Sequence, residues 1–356
     1  MPISAISGFL DAASARTGLP KPVVAGGIAL LALAATRTAA GILGDRKIKN
    51  TKGLKVFVTG CDTGFGNITA KQLAEKGYTV YAACLTDSGI ESFNKLAASD
   101  SRYRTIRAVK LDVTKDADVQ ACRALLEREA PEGLFCLVNN AGLHAAYKWE
   151  LSPMDMIQKD MEVNYYGVVR VTMAFLPLLR RYVASNKSAI AAGQAPPPRI
   201  VTVSSIAGSV KASPSGSYCA SKHAAQVFGV TLRQEVAHQG IHVSLIEPYY
   251  ARTPFLTVID ERKIQRILSQ PKEVIEAYGG EADIRKRMSR SAFHTAMPRV
   301  LEPPEVMNVM VGQVHAWRPN PHNLVGFESN LLTFLLKIMS PQQWDRMVHV
   351  FEQRDM

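Results

Sequence analysis

The chain has 356 residues, 47% hydrophobic and 21% charged, with a formal net charge of +11. This composition describes a folded protein with a full core and excludes a disordered chain. A positive surplus suits nucleic acid or an anionic membrane surface, but the basic residues are scattered apart from Arg46, Lys47, Lys49, Lys52 and Lys55. No zinc-ligand spacing, RNA-binding aromatic signature or helix-turn-helix pattern accompanies them, so no nucleic-acid partner is expected.

Behind an N-terminal segment (1–22), residues 23–43 read VVAGGIALLALAATRTAAGIL and carry one charge, Arg37. At helical rise they span about 30 Å, the thickness of a hydrocarbon core. A membrane anchor is expected there, with a cleaved targeting segment or a peripheral helix as alternatives. Basic residues crowd its C-terminal flank, which puts the main domain on the cytosolic side of the endoplasmic reticulum. A mitochondrial location is the alternative, although the leader, with Asp11 and Arg16, fits it poorly.

Short apolar runs then alternate with amphipathic segments, which predicts a Rossmann-type, doubly wound parallel α/β sheet in a single domain over 51–320. The expected strands are LKVFVTG, YTVYAAC, RTIRAVKLD, LFCLVNNAG, RIVTVSS and IHVSLIEP. Residues 184–198, polar and proline-rich, read as a disordered surface insertion. After Pro248 the alternation stops. The charged, weakly patterned stretch 249–300 is placed where a substrate lid belongs, outside the carboxyl ends of the strands. The C-terminal tail, 321–356, contains NLLTFLLKIM, whose apolar residues nearly encircle a helix and fit core packing or membrane contact equally. Cys61, Cys84, Cys122, Cys136 and Cys219 form no CxxC pair and read as reduced, buried thiols. No metal site is expected.

The turn VTGCDTGFG closes the first strand and opens a helix, which places Gly60, Gly64 and Gly66 where backbone N–H groups approach a pyrophosphate. Near the end of the second strand, at Ala83 and Cys84, neither an acid for a ribose hydroxyl nor an arginine for a 2′-phosphate is present. Asp87 follows closely, and Asp62 and Thr63 sit in the turn itself. A carboxylate there repels an extra phosphate, so NAD is expected over NADP, unless Asp62 simply faces solvent. Further on, Tyr218 and Lys222 stand four residues apart, on one face if the segment is helical. An ammonium beside a phenol favours the phenolate and makes tyrosine usable as a general acid or base.

The glycine turn, NNAG at Asn139–Gly142, Ser205 at a strand end, and Tyr218 with Lys222 together resemble the short-chain dehydrogenase/reductase family over roughly 200 residues, Gly60 to Thr253. That resemblance implies that Tyr218 moves the hydroxyl proton, Lys222 lowers its pKa and holds the nicotinamide ribose, and Ser205 binds the substrate oxygen. Asn164 would support a water relay to the lysine. It likewise implies cofactor contacts from Gly60, Asp62, Gly64, Phe65, Gly66, Asp112, Asn139, Ala141, Gly142, Pro248 and Thr253, in addition to Tyr218 and Lys222. Asn139 would brace the sheet beside the cofactor. One departure stands out, since Tyr249 follows Pro248 where the family usually has glycine. His144, just after NNAG, is expected to be structural more than substrate-contacting.

TGCDTGFG, AACLTD, FLPLLRR and YCASK are similar to the branch of retinol, hydroxysteroid and membrane-bound 3-hydroxybutyrate dehydrogenases. The resemblance implies a small lipophilic alcohol or ketone substrate, a membrane, and a dimer or tetramer of identical chains. A 3-hydroxybutyrate-type hydroxy acid is the second reading. A non-catalytic dinucleotide-binding sensor or scaffold is the third, and the complete Ser205, Tyr218 and Lys222 set argues against it.

Overall fold

The computed structural model describes residues 46–211, 213–253, 261–289 and 300–354. The candidate anchor, 23–43, lies outside the described residues. Among those described, no helix is long and apolar enough to cross a membrane.

All the predicted strands form: β1 (Lys55–Thr59), β2 (Thr79–Cys84), β3 (Ile106–Lys110), β4 (Cys136–Asn139), β5 (Arg199–Val203) and β6 (His242–Pro248). A further strand, β7 (His322–Val325), completes a seven-stranded sheet in the order β3-β2-β1-β4-β5-β6-β7. Every neighbouring pair is parallel. Because successive side chains alternate faces, Val56 and Val58 enter one core layer and Phe57 the other. Such strands are buried on both faces and read as near-continuous apolar runs, which is why the sequence exposes them.

Helices α1 (Gly64–Glu75), α2 (Asp87–Ser99) and α3 (Asp116–Glu129) follow the first three strands. α4 (Met154–Met161) continues through a π turn, Glu162–Tyr166, into α5 (Gly167–Ser185). The supposed disordered insertion instead begins with the end of α5 and carries a short helix, α6 (Lys187–Ala191). Ile190 packs on the core and anchors it. α7 (Gly216–Val236) runs beside β6.

The weakly patterned stretch contains α8 (Glu261–Leu268), α9 (Lys272–Ala277) and α10 (Gly280–Ser289). They gather around a small core of their own, where Ile267 and Ile284 pack with Leu151. α11 (Pro303–His315), α12 (Phe327–Ile338) and α13 (Pro341–Arg354) complete the described chain. α12 packs against the core along one face only. Leu332 and Leu336 pack against the core, whereas Phe327, Leu331, Phe334 and Ile338 are exposed.

The sheet passes the expected boundary at residue 320, because polar contacts tie β7 to β6. Glu247 is buried and bonds the His322 Nδ1 at 2.9 Å, and Asn323 donates to Ser244 Oγ at 3.0 Å. The sheet is also locked to α11 by Arg199, which is fully buried. Its guanidinium donates to the carbonyls of Val314 and Ala316 at the C-terminal end of α11, to Pro197 at 2.7 Å, and lies 4.6 Å from the centre of the Phe135 ring. Carbonyls at a helix C-terminus carry partial negative charge, so they offset part of the cost of burying the cation. Burial still lowers the Arg199 pKa to about 10.

Replacing Arg199 with methionine leaves several buried carbonyls unpartnered, each costing about 1–3 kcal/mol. Arg199→Met should therefore melt roughly 5 °C or more below the parent chain. Arg199→Lys should recover little, because an ammonium cannot reach acceptors spread over a fork. Thermal unfolding followed by circular dichroism checks this; a melting point unchanged in Arg199→Met rules it out.

Candidate active site

The chain runs outward from β1 to β3 and then returns to place β4 on the other side of β1. The switch opens a crevice at the carboxyl ends of these strands. A cleft of about 1210 Å³ lies there. Gly60 and Gly64 take φ values of 69° and 62°, the left-handed region that glycine adopts without strain. Gly66 is needed for closeness: a Cβ on it would lie 2.3 Å from the Gly60 carbonyl oxygen. It therefore packs α1 onto the turn and does not line the cleft.

The NNAG segment laces β1 to β4. Asn140 Nδ2 donates to the carbonyls of Thr59 and Gly60 at 2.9 and 3.0 Å, and the backbone amides of Asn140 and Ala141 donate to Thr59 Oγ1. Asn139 is buried, donates to Thr172 Oγ1 at 2.9 Å and does not line the cleft.

Of the remaining expected cofactor residues, Gly60, Asp62, Gly64, Phe65, Asp112, Ala141, Gly142, Pro248 and Thr253 all line the cleft. Asp62 does not simply face solvent. Its carboxylate accepts from the amides of Leu85 and Thr86 at 2.7 and 2.8 Å and from Thr86 Oγ1, which fixes a negative charge at the exit of β2. Asp87 is paired with Lys110 at 2.6 Å on the surface. Burial pushes the Asp112 carboxyl up, but hydrogen bonds from Thr114 and the nearby Lys115 bring it below its usual range.

Ser205, Tyr218 and Lys222 meet in the same cleft. Ser205 lies two residues past the end of β5 and caps the following turn, accepting from the Ala207 amide at 3.1 Å. Tyr218 and Lys222 lie on one face of α7, with the ammonium 5.7 Å from the centre of the phenol ring. Lys222 is 5% exposed and donates to the Val203 carbonyl at 3.1 Å.

The pKa balance differs from the sequence expectation. Burial dominates and pushes the Tyr218 phenol well up, while its hydrogen bond with Ser205 pulls it down. Burial also lowers the Lys222 ammonium to about 8, against the opposing pull of Asp160. Ser205, rather than Lys222, is thus the neighbour that lowers the phenol.

Asn164 sits in the π turn and does not line the cleft. Its side chain accepts from the Leu143 amide at 2.9 Å and donates to the Leu143 carbonyl and to Ser221 Oγ. It lies close to the lysine nonetheless, since a Cβ on Gly142 would be 3.1 Å from Asn164 Oδ1 and 3.4 Å from Lys222 Nζ. A Cβ there would press on the Asn164 oxygen and touch the ammonium. Tyr249, in place of the family's glycine, turns its ring into the core, 3% exposed and edge-on to Tyr250.

Other cleft residues were not foreseen. Met154, Ile157 and Met161 of α4 form an apolar wall, with Tyr166 and Tyr250 beside it. The spacing of three and four residues between those α4 positions was the available signal. His144 also lines the cleft, its ring centre 4.9 Å from that of Tyr218.

A glycine turn at the switch point, closely packed glycines, and a half-buried Ser and Tyr beside a buried Lys define an oxidoreductase that uses a nicotinamide dinucleotide. The family model for short chain dehydrogenase matches residues 54–264, and the chain belongs to the short-chain dehydrogenase/reductase family. It is 35% identical to human (Homo sapiens) retinol dehydrogenase 16 over 297 residues, 80% of this chain and 84% of that protein. It is 35% identical to human retinol dehydrogenase 5 over 69% of this chain and 72% of that one. With human 17-beta-hydroxysteroid dehydrogenase type 6 it shares 40% identity over 63% of this chain and 66% of that protein. A short chain dehydrogenase/reductase from Burkholderia phymatum, solved in complex with NAD, shares the fold at a TM-score of 0.61 and 21% identity, covering 81% of this chain and 94% of its own.

The buried ammonium gives a pH signature. The folded pKa of Lys222 lies below its ordinary value of 10.5. Its contribution therefore disfavours the folded chain below about pH 8, and that cost is relieved as pH rises through the window between the two values. In lysine-labelled protein, one NMR signal should titrate near pH 8 and be missing from Lys222→Met. A spectrum in which every lysine titrates at its ordinary value contradicts the burial argument.

Proposed function

We propose that this chain is an NAD-dependent dehydrogenase/reductase that interconverts an alcohol and its carbonyl on a lipophilic substrate, a retinoid or a hydroxysteroid. The observation that carries this reading is one cleft that Ser205, Tyr218 and Lys222 share with apolar residues of α4. The bound dinucleotide accepts or gives the hydride. Ser205 orients the substrate oxygen, and Tyr218 exchanges the hydroxyl proton with it. The protonated phenol favoured by burial is ready to donate in carbonyl reduction; in alcohol oxidation the phenolate must form, and the Ser205 hydrogen bond lowers its cost.

The fixed Asp62 carboxylate supports NAD, since a 2′-phosphate nearby adds like charge to like. No arginine lines the cleft among the described residues. A hydroxy acid finds little support. The described cations lining the cleft are Lys222, committed to the proton-transfer site, and Lys159, which is exposed. The similarity to retinol and hydroxysteroid dehydrogenases supports the lipophilic class.

Turnover of retinol, a hydroxysteroid and 3-hydroxybutyrate, each with NAD and NADP, tests the reading by absorbance of the reduced cofactor. Activity should appear with a lipophilic alcohol and NAD. Tyr218→Phe should lose about 10²-fold or more in kcat while still binding dinucleotide. Asp62→Asn should narrow the preference for NAD. Turnover confined to the hydroxy acid, or wild-type rates in Tyr218→Phe, defeats it.

We further propose residence on the endoplasmic reticulum membrane with the catalytic domain in the cytosol. The support is the apolar stretch 23–43 with its basic flank, and the exposed apolar stripe of α12. The full chain should stay with membranes through alkaline carbonate extraction, and deletion of residues 1–45 should weaken that retention. Complete release of the full chain by carbonate refutes an integral anchor.

A further inference from the structure

Four backbone contacts hold the segment after NNAG rigid. Asn164 binds both the amide and the carbonyl of Leu143, and the Asp160 carboxylate accepts from the amides of Ala145 and Ala146 at 2.7 and 3.4 Å. Asp160 is itself buried and takes a hydrogen bond from Ser217 of α7. His144 lies between these clamps. A third tie comes from the lid, where Lys263 of α8 donates to the His144 carbonyl at 3.0 Å.

The imidazole so held points into the cleft against the Tyr218 ring, with planes inclined by 39°. Its Nε2 is buried and has no hydrogen-bond partner among the described residues. Buried polar atoms are nearly always satisfied, so a nitrogen left open beside the proton-transfer site is the mark of a partner that arrives with the ligand. A ring that served packing alone would be better replaced by an apolar one.

We propose that His144 is a substrate-contacting residue, its Nε2 forming a hydrogen bond to the oxygen-bearing end of the compound turned over at Tyr218. The inference rests on the dehydrogenase reading above and names a specificity determinant within it. Burial, with the Lys263 charge, pushes the imidazole down to about 3, so it stays neutral and serves as a hydrogen-bonding group rather than as a cation. A site that hydrogen-bonds a substrate oxygen discriminates more strongly than an apolar surface does, because a ligand lacking the group leaves the nitrogen unpaired.

The test uses the full chain, wild type beside His144→Phe and His144→Gln, with retinol and a hydroxysteroid as substrates and NAD titrated separately. Phenylalanine keeps a ring against Tyr218 and removes the nitrogen; glutamine restores a polar terminus. His144→Phe should lose about tenfold or more in kcat/KM with dinucleotide Kd held within about twofold, and His144→Gln should recover part of the loss. Wild-type kcat/KM in His144→Phe overturns the assignment. So does a loss in both variants accompanied by weakened dinucleotide binding, which marks a packing role. If the wild type turns over no alcohol, the dehydrogenase reading falls first and takes this proposal with it.

Discussion

The active site depends on keeping the Lys222 ammonium in a place where burial opposes its charge. Burial lowers its pKa to about 8, which leaves the ammonium charged at neutral pH. Low polarity around the group is what makes it useful, since an interaction screened in water regains its strength in a dry crevice. The cation donates to the Val203 carbonyl at the end of β5, and the bare Gly142 leaves it room. The same dryness pushes the Tyr218 phenol up, so the two groups are coupled through one environment. Opening that environment to water would relax both shifts and so weaken the proposed proton transfer.

Exclusion of water requires a rigid wall, and the wall is built where one helix departs from regular geometry. The π turn Glu162–Tyr166 sets Asn164 toward Leu143 and α7, while Asp160, just before it, turns to the amides of Ala145 and Ala146. Single π turns interrupt helices chiefly at functional positions, because the inserted residue re-aims the side chains around it. Arg170 fixes the following helix by reaching Glu162, Asp116 and the Val113 carbonyl. Strand end, loop and helix are thereby tied together by side-chain hydrogen bonds, although they lie far apart in sequence.

What the sequence exposes is the part governed by local rules. Strands buried on both faces are written as apolar runs, and the glycine turn, NNAG, Ser205, Tyr218 and Lys222 announce themselves by residue type and spacing. β7 stays hidden because polar contacts, through Glu247, His322 and Asn323, hold it in the sheet. α8 to α10 stay hidden for a related reason: they are short, charged, and stabilised by a small core that includes Leu151, more than a hundred residues away in the chain. The roles of Asn139, Gly66 and Asn164 were assignable to the site but not to an atom, since each acts by positioning a neighbour. The pKa balance was likewise beyond reach, because helical spacing places a lysine near a tyrosine without revealing how dry the place is.

The departure at Tyr249 illustrates how the fold absorbs change next to chemistry. A large side chain after Pro248 threatens the cofactor's approach only if it points into the crevice. Here the Tyr249 amide donates to the Val325 carbonyl of β7 at 3.0 Å, and the ring packs in the core although the residue still borders the cleft. Tyr250, next in line, is then carried to the cleft beside the apolar wall. The extra strand and the bulky residue are in contact, since β7 supplies the backbone partner of Tyr249. The two tyrosines together give the cleft an aromatic border, which suits a lipophilic substrate better than a glycine would.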